Sequence, residues 1–444
     1  MHSSIKSVCF ALLVLVPATT VHAASNWPTW RGPTADGAAP DSNPPVTWSD
    51  TENIKWKVPM PDTSNCTPVI WGDKIFIQAA VPSQKESGDI PPLDTNFERP
   101  EAQRLLPKVP TNAFDFNLIC LDKNTGKILW ERTANTAYPH EGVHPDHGFA
   151  SYSPVTDGEH VWVSYGTFGM YCYDLDGNEV WNTALDRQFT FNGFGEGSSP
   201  AVAGDLVYIL QDHEGDSKIH AFNKKTGDLV WEQDREEGTG WSTPYPVEVD
   251  GKTQIVVSGS KAVRSYDAKS GDLIWQCSGL ERGSVPSPVA GFGMVYCMTG
   301  YLKFSLLAIE LGKTGDLTAS DAVAWSITEN TPYVPCPLLY EGQLYFTEGN
   351  KPKLSSYDAK TGEPIFTSQK LPGQKMLYSS PVGAGGRVYI SGRKGTTLVL
   401  KHGSEFEILA TNVMDDGFDS SPVVVGDEMF LKGKKFLYCI SESK

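Results

Sequence analysis

Positive charge is scarce in this chain: 37 Lys and Arg stand against 53 Asp and Glu in 444 residues. A formal net charge of −16 argues against a nucleic-acid or anionic-membrane partner. Long apolar runs are missing too. The one candidate, Val8 to Val16, is too short to span a bilayer. There is no phosphate-binding glycine motif, no Gly-x-Ser-x-Gly and no Ser/His/Asp order that reads as a triad. Phosphoryl transfer and serine hydrolysis therefore lose their usual sequence support. No two of the cysteines are adjacent.

The apolar run belongs to an export signal. Lys6 precedes it, and Val21-His22-Ala23-Ala24 offers a small-residue cleavage site. Residues 1–24 are expected to be removed, leaving a soluble periplasmic or secreted protein. Cys9 lies inside the apolar run, away from the cleavage point where a lipid-bearing cysteine would sit. About 420 mature residues would ordinarily make two or three domains.

A repeat overrides that expectation. A small or polar residue, then proline, then an aliphatic or small residue recurs eight times. It reads Thr67-Pro68-Val69, Ser153-Pro154-Val155, Ser199-Pro200-Ala201 and Thr243-Pro244-Tyr245, then Ser287-Pro288-Val289, Cys336-Pro337-Leu338, Ser380-Pro381-Val382 and Ser421-Pro422-Val423. The spacing is close to 44 residues except between the first two, where it is 86. The unit continues with a Gly-Asp-type turn, an alternating strand, a third strand ending in an acid or its substitute, and a Thr-Gly turn into a tryptophan strand; the sixth copy has Phe366 for the tryptophan, the fifth a stretched turn, and the seventh has lost both acid and tryptophan. Four short strands per unit make a propeller blade. The expected fold is all-β: an eight-bladed β-propeller of four-stranded antiparallel blades over residues 53–444, preceded by an extended arm, residues 25–52.

The end of the unit reads D-x-x-T-G-x-x-x-W, as in Asp122, Thr125, Gly126 and Trp130. The carboxylate can cap the turn, glycine supplies a positive φ, and the indole fills the gap between blades. The eighth unit stops after its third strand, Phe436 to Ile440. Asn53 to Val58, with Trp56, fits as the missing fourth strand and is expected to clasp the ring shut. Cys120, Cys172 and Cys439 share one repeat position, filled elsewhere by Ala221, Ser265, Ala308, Ser356 and Val399. Facing sheets lie about 10 Å apart, whereas a disulfide needs Cα atoms within roughly 7 Å. These three are therefore read as buried thiols, while Cys66 and Cys336, near the axis, stay open.

Links from fourth to first strand and from second to third strand open on one face of a propeller. Residues 80–116 interrupt blade one on that face, and residues 133–151 join blades one and two. The two loops are expected to be neighbours and to form a partial lid. The second holds His140, His144 and His147 beside Glu141 and Asp146. Such groups can bind Zn²⁺ or another transition metal, or simply hold the lid through backbone hydrogen bonds. Glu196, Trp241, Arg282, Tyr333, Tyr378, Asp416 and Asp419 precede proline phrases and are candidates for the axial funnel. Together they suit a polar, planar or sugar-like ligand, or they satisfy one another. Arg282 stands out, since Arg fixes carboxylates bidentately.

The tryptophan-bearing repeat, its eight copies and the closing strand resemble the pyrroloquinoline quinone (PQQ) type propellers, the quinoprotein alcohol dehydrogenase-like family. The resemblance covers residues 53–441. Trp27-Pro28-Thr29-Trp30-Arg31-Gly32-Pro33 and Asp416-Gly417-Phe418-Asp419-Ser420-Ser421-Pro422 are similar to an exported bacterial branch without assigned activity. The family implies two kinds of function. Its dehydrogenases hold PQQ and Ca²⁺ on the axis under a disulfide of adjacent cysteines, which this chain lacks, and their Glu/Asn/Asp calcium set does not map onto it. Its outer-membrane assembly lipoprotein is a cofactor-free scaffold, but this chain lacks the anchoring cysteine and adds the arm. The expectation is a monomeric, non-catalytic binding or scaffold module, taking a protein partner or a small polar ligand on its lidded axial face. The alternatives are a quinoprotein dehydrogenase using PQQ and calcium, or a metal-dependent activity on the histidine loop.

Overall fold

A computed structural model describes residues 26–442 except 63 and 102; the expected export signal, residues 1–24, lies outside the described residues. Eight antiparallel four-stranded sheets form the ring, two of them extended by a short extra strand. Blade 3 shows the unit. Its innermost strand, Ala201–Ala203, pairs with Leu206–Gln211, then Ser217–Asn223, then the outer Leu229–Arg235. Proline opens the innermost strand because it has no N–H to give the ladder.

The clasp is present. Blade 8 takes three strands from the C-terminal end, and its outer strand is Ile54–Pro59, with Trp56 opposite Cys439 and Val58 opposite Leu437.

In blades 8, 2 and 3 the outer-strand tryptophan works on the following blade. The Trp56 indole donates to Lys123 O (2.9 Å), Trp181 to Lys224 O (3.0 Å) and Trp231 to Ala268 O (3.0 Å). Each ring lies on the turn glycine beside that carbonyl. A Cβ on Gly126 would come within 2.6 Å of Trp56, and one on Gly227 within 2.7 Å of Trp181. Gly126 is also left-handed, φ +72°. Asp122 Oδ1 fixes this turn by accepting from Thr125 N (2.8 Å) and Thr125 Oγ1 (2.7 Å).

The small repeat position faces the same rings. Cys120 lies opposite Trp130, Cys172 opposite Trp181, and Ala221 opposite Trp231, each beside a β-bulge. In blade 7 the partners are Val399 and Ala410, so a larger residue on one side accompanies a smaller one on the other. Blade 5 departs from the pattern: its stretched turn sends Gly315–Asp316 back to pair with the outer strand of blade 4 at Trp275.

Two boundaries differ from the expected ones. The insertion in blade 1 is a loop only over 83–113, because its strands run through Lys74–Pro82 and Phe114–Asp122. Ala80 pairs with Phe116, and Phe116 stacks on Phe168 (4.4 Å), which holds those ends in the sheet.

The arm crosses the ring. Trp27 bridges Ile70 of blade 1, Thr156 N of blade 2 donates to Pro28 O (3.0 Å), and Ala38–Ala39 runs parallel to Val382–Ala384 of blade 7. These contacts lie toward the Gly-Asp turns, at the end of the axis away from the proline phrases. Arg31 alone reaches up to proline carbonyls, at Pro337 O (2.7 Å) and Pro381 O (2.9 Å).

Removing the clasp indole by Trp56→Ala should cost about 2–4 kcal/mol. Gly126→Ala should also destabilise, through its φ and the overlap with the same ring. Because both act on one contact, the double variant should lose less than the sum, as read by urea unfolding. Strict additivity would show that the indole and the glycine do not form one dock.

Candidate ligand site on the ring axis

The residue before each proline closes the ring from inside. Thr67 N–H donates to Ser153 Oγ, Ser153 N–H to Ser199 Oγ and Thr243 N–H to Ser287 Oγ, all at 2.9 Å. Ser287 N–H reaches Cys336 Sγ (3.0 Å), Cys336 N–H Ser380 Oγ (2.9 Å), Ser380 N–H Ser421 Oγ (3.0 Å) and Ser421 N–H Thr67 Oγ1 (3.2 Å). Between blades 3 and 4 the link is Ser198 Oγ to Ser242 O (2.8 Å).

Above this belt lies a cavity of about 420 Å³. Trp30 of the arm lines it from below, the belt residues form its lower wall, and Trp241, Tyr333 and Tyr378 form the upper wall. Trp241 is held by its N–H to Gly195 O (2.8 Å), and Tyr333 stacks on Tyr301 at 4.9 Å. His144, Asp146 and His147 bring the lid loop to the mouth.

The lid is pinned across the mouth by an arginine. Arg393 bonds Asp146 Oδ1 (2.6 Å) and Asp419 Oδ1 (2.7 Å) and lies over the Tyr378 ring at 4.3 Å. Tyr378 Oη donates to Asp146 Oδ2 (3.1 Å), and Lys434 pairs with Asp419 Oδ2 (3.2 Å). The Arg393 bond holds the Asp146 carboxyl down at about 2.

Trp241, Tyr333, Tyr378, Asp419, His144 and His147 thus meet at the cavity. Four sequence candidates go elsewhere. Glu196 is half-buried under the lid, where its carboxyl group accepts from Tyr152 Oη (2.9 Å), Thr167 N (2.8 Å), Thr167 Oγ1 (2.6 Å) and Gln188 Nε2. Asp416 turns into blade 8 and accepts from Gly417 N (2.7 Å), Lys434 N (2.9 Å) and Tyr438 Oη (3.1 Å). Arg282 is half-exposed on the outer rim, over Phe191 at 4.8 Å and 3.9 Å from Glu214. His140 is boxed by Phe97 and Phe189 and bonds Gln188 O (2.6 Å).

The three loop histidines do not form a common ligand set; among the described residues the group of metal-type ligands that does converge is Asp157, Glu159 and His160. His147 Nδ1 lies 2.6 Å from Ser151 Oγ and also accepts Gly148 N–H. Burial pushes this imidazole down to about 4, too weak a base to activate a serine near neutral pH.

The insertion and the histidine loop are neighbours, as expected: Arg99 donates to His140 O (2.6 Å) and Gln103 to Glu141 Oε2 (2.7 Å). Arg393 and Lys434 escaped the sequence reading. Each sits in a short link between second and third strands, whose facing toward the axis was the available signal. All seven cysteines of the described residues are buried and unpaired.

The family model described as Outer membrane protein assembly factor BamB, PQQ_2, matches residues 115–368, more than half of the chain. The chain belongs to this family. Among solved structures, a quinohemoprotein alcohol dehydrogenase from Comamonas testosteroni is similar at TM-score 0.61 and 11% identity, over 95% of this chain and 81% of that one. BamB from Moraxella catarrhalis aligns at TM-score 0.38 and 13% identity, over 76% and 84%. A europium-containing methanol dehydrogenase aligns at 0.47 and 13%, over 93% and 90%. The first likeness is one of fold. A search of curated proteins returns no match. No helix among the described residues is long and apolar enough to cross a membrane.

Within this PQQ_2 propeller the donors for PQQ and Ca²⁺ can be tested directly. Ca²⁺ takes roughly six to eight oxygens, carboxylates among them. The carboxylates at the cavity, Asp146 and Asp419, are engaged by Arg393, Lys434 and Tyr378, and the rest of the wall is chiefly aromatic rings and hydroxyls. These donors do not fit a calcium–quinone pair.

The lid carries a pH signature. Burial pushes Glu141 up to about 8 and Glu196 up to about 7. Both favour the protonated carboxyl in the fold, so their stabilisation is full at low pH and fades as pH rises through those values. Burial pushes His140 and His147 down to about 4, so their contribution fades as pH falls from the usual imidazole value. From about pH 6.5, where the unfolded imidazoles are half protonated, the remaining histidine contribution is small and opposes that of the glutamates, which dominate the slope. Stability should fall by roughly 1–2 kcal/mol from pH 6.5 to 8. Glu141→Gln and Glu196→Gln should flatten that slope in denaturant titrations; an unchanged slope in both would exclude these carboxyls as its source.

Proposed function

We propose that this protein is an exported, non-catalytic binding module that takes a small, polar, ring-bearing ligand into its axial cavity from the lid face. The observation that carries this reading is the cavity: about 420 Å³, floored by the chain's own arm at Trp30 and walled by Trp241, Tyr333 and Tyr378. That volume suits one small ligand. Aromatic faces favour stacking against a planar or sugar ring, and hydroxyls below them offer hydrogen bonds without charge. The titratable groups support binding rather than turnover. Asp146 and Asp419 are ion-paired, Glu141 is buried under the lid and Glu196 half-buried there with every contact to protein donors, and His147 is held neutral.

A second reading has its own support. Leu106, Leu302 and Met376 are exposed on links of the lid face, as a protein-docking rim would require.

Fluorescence titration of the mature protein with a panel of aromatic and monosaccharide ligands tests the cavity. A hit should weaken at least about tenfold in Trp241→Ala or Tyr333→Ala without loss of thermal stability, and PQQ with Ca²⁺ should show no saturable uptake. A hit indifferent to both substitutions would move the site elsewhere. Capture of an envelope protein that is abolished by Leu302→Asp, with no small-molecule hit, would favour the rim.

A further inference from the structure

The belt has donors to spare. Thr67, Ser153, Ser199, Ser287, Ser380 and Ser421 each accept one N–H at the hydroxyl oxygen. Among the described residues, no oxygen accepts the proton of any of these hydroxyls in return. A hydroxyl carries one donor and two lone pairs. The hydroxyls of Ser153, Ser287 and Ser380 lie beside the Cys66 and Cys336 sulfurs, which are weak acceptors; those of Thr67, Ser199 and Ser421 are uncommitted, and all six residues line the lower cavity.

A ring of hydroxyls is ambivalent. Turned one way, its protons gather round an anion; turned the other, its oxygens gather round a cation. The charge beneath the belt decides between them. Arg31 is 2% exposed. Its guanidinium bonds three main-chain carbonyls, those of Pro381, Pro337 and Asp36, and its Nε–H has no partner. The Asp36 carboxylate turns away, accepting from Thr34 Oγ1 (2.7 Å) and Ala38 N (2.9 Å). Among the described residues Arg31 forms no ion pair.

The groups above do not cancel this charge. Asp146 and Asp419 are matched by Arg393 and Lys434. Cys336, the belt member beside Pro337, is kept a neutral thiol by burial, although Arg31 pulls the other way. Asp36 acts on this charge only from a distance; a buried cation without a paired carboxylate is costly, and here it lies under a crown of hydrogen-bond donors.

We infer that the belt is an oxyanion site: a carboxylate, phosphate or sulfate group sits on the ring axis at the hydroxyls above Arg31. The ligand enters anion first, and its ring comes to rest between Trp241 and Tyr333. This assignment rests on the cavity reading above and names the end of the ligand that goes down.

The belt itself supplies a mild substitution. Cys336 Sγ accepts the Ser287 N–H at 3.0 Å, so a thiol keeps the ring link while giving a much weaker donor. The double variant Ser199→Cys/Ser421→Cys should fold as the parent does. The mature protein is titrated at fixed ionic strength with phenyl phosphate, benzoate, phenol and inorganic phosphate, with tryptophan fluorescence as readout, since Trp30 and Trp241 both face the cavity. The two aryl anions should bind at least about tenfold more tightly than phenol. Inorganic phosphate should bind more weakly but at the same place, by competition. The double variant and Arg31→Gln should each lose most of the anion preference, and Cys336→Ser should increase it.

Equal affinity for phenol and the aryl anions, or an anion preference untouched in the double variant, overturns the oxyanion site. If phenol binding still depends on Trp241, the cavity reading survives that result. Inorganic phosphate binding that falls in the double variant, with no aryl contribution, keeps the oxyanion site and removes the ring-bearing ligand. If Arg31→Gln unseats the arm, its melting curve will show it, and the cysteine variants decide alone.

Discussion

An indole laid on a glycine of the next blade is the contact on which this ring depends. The glycine must be bare because a Cβ at Gly126 or Gly227 would overlap the ring, and it must be left-handed to complete the turn. The residue opposite the tryptophan must be small for the same reason, which explains a position shared by Cys120, Cys172 and Ala221. The indole N–H then ties the blades by a directed bond to a turn carbonyl. Where the motif is stretched, in blade 5, backbone pairing at Gly315 takes over. Where it is lost, in blade 7, Val399 faces Ala410.

The axis is tied by a different force. The belt joins neighbouring blades through N–H to hydroxyl bonds, so each proline phrase has two jobs. Proline starts the strand, and the residue before it holds the next blade. The outer contact is apolar with one directed bond, while the inner one is wholly polar. That difference leaves the rim of the ring packed and its centre lined with groups able to bind.

Much of the fold was legible in the chain because propeller geometry repeats. One phrase every 44 residues or so, one turn motif and one absent strand were enough to place eight blades and the Trp56 clasp. The site was legible only in part. Position before a proline phrase gives the correct face but not the depth or direction of a side chain. Trp241, Tyr333, Tyr378 and Asp419 point inward, whereas Asp416 meets several backbone donors of blade 8 and Glu196 meets one backbone and three side-chain donors, and each turns to them. Arg282 finds Phe191 and Glu214 outside the funnel. Arg393 lies in a four-residue link with no pattern around it, and its partner Asp146 is 247 residues away. The role of Arg31 depends on where the arm runs, which no periodicity encodes.

The clasp also sets a timetable. Trp56 is made long before its partner Cys439, 383 residues further along the chain. Blades 1 to 7 have their four strands close in sequence and can form as the chain lengthens, but the ring and the cavity floor need both ends together. Contacts of such long sequence separation form late. Until then the chain has open blade edges and no completed cavity. Closure waits for the strand Phe436–Ile440 to meet Ile54–Pro59, so a ligand that fits the axis would act on a finished ring and favour keeping it shut.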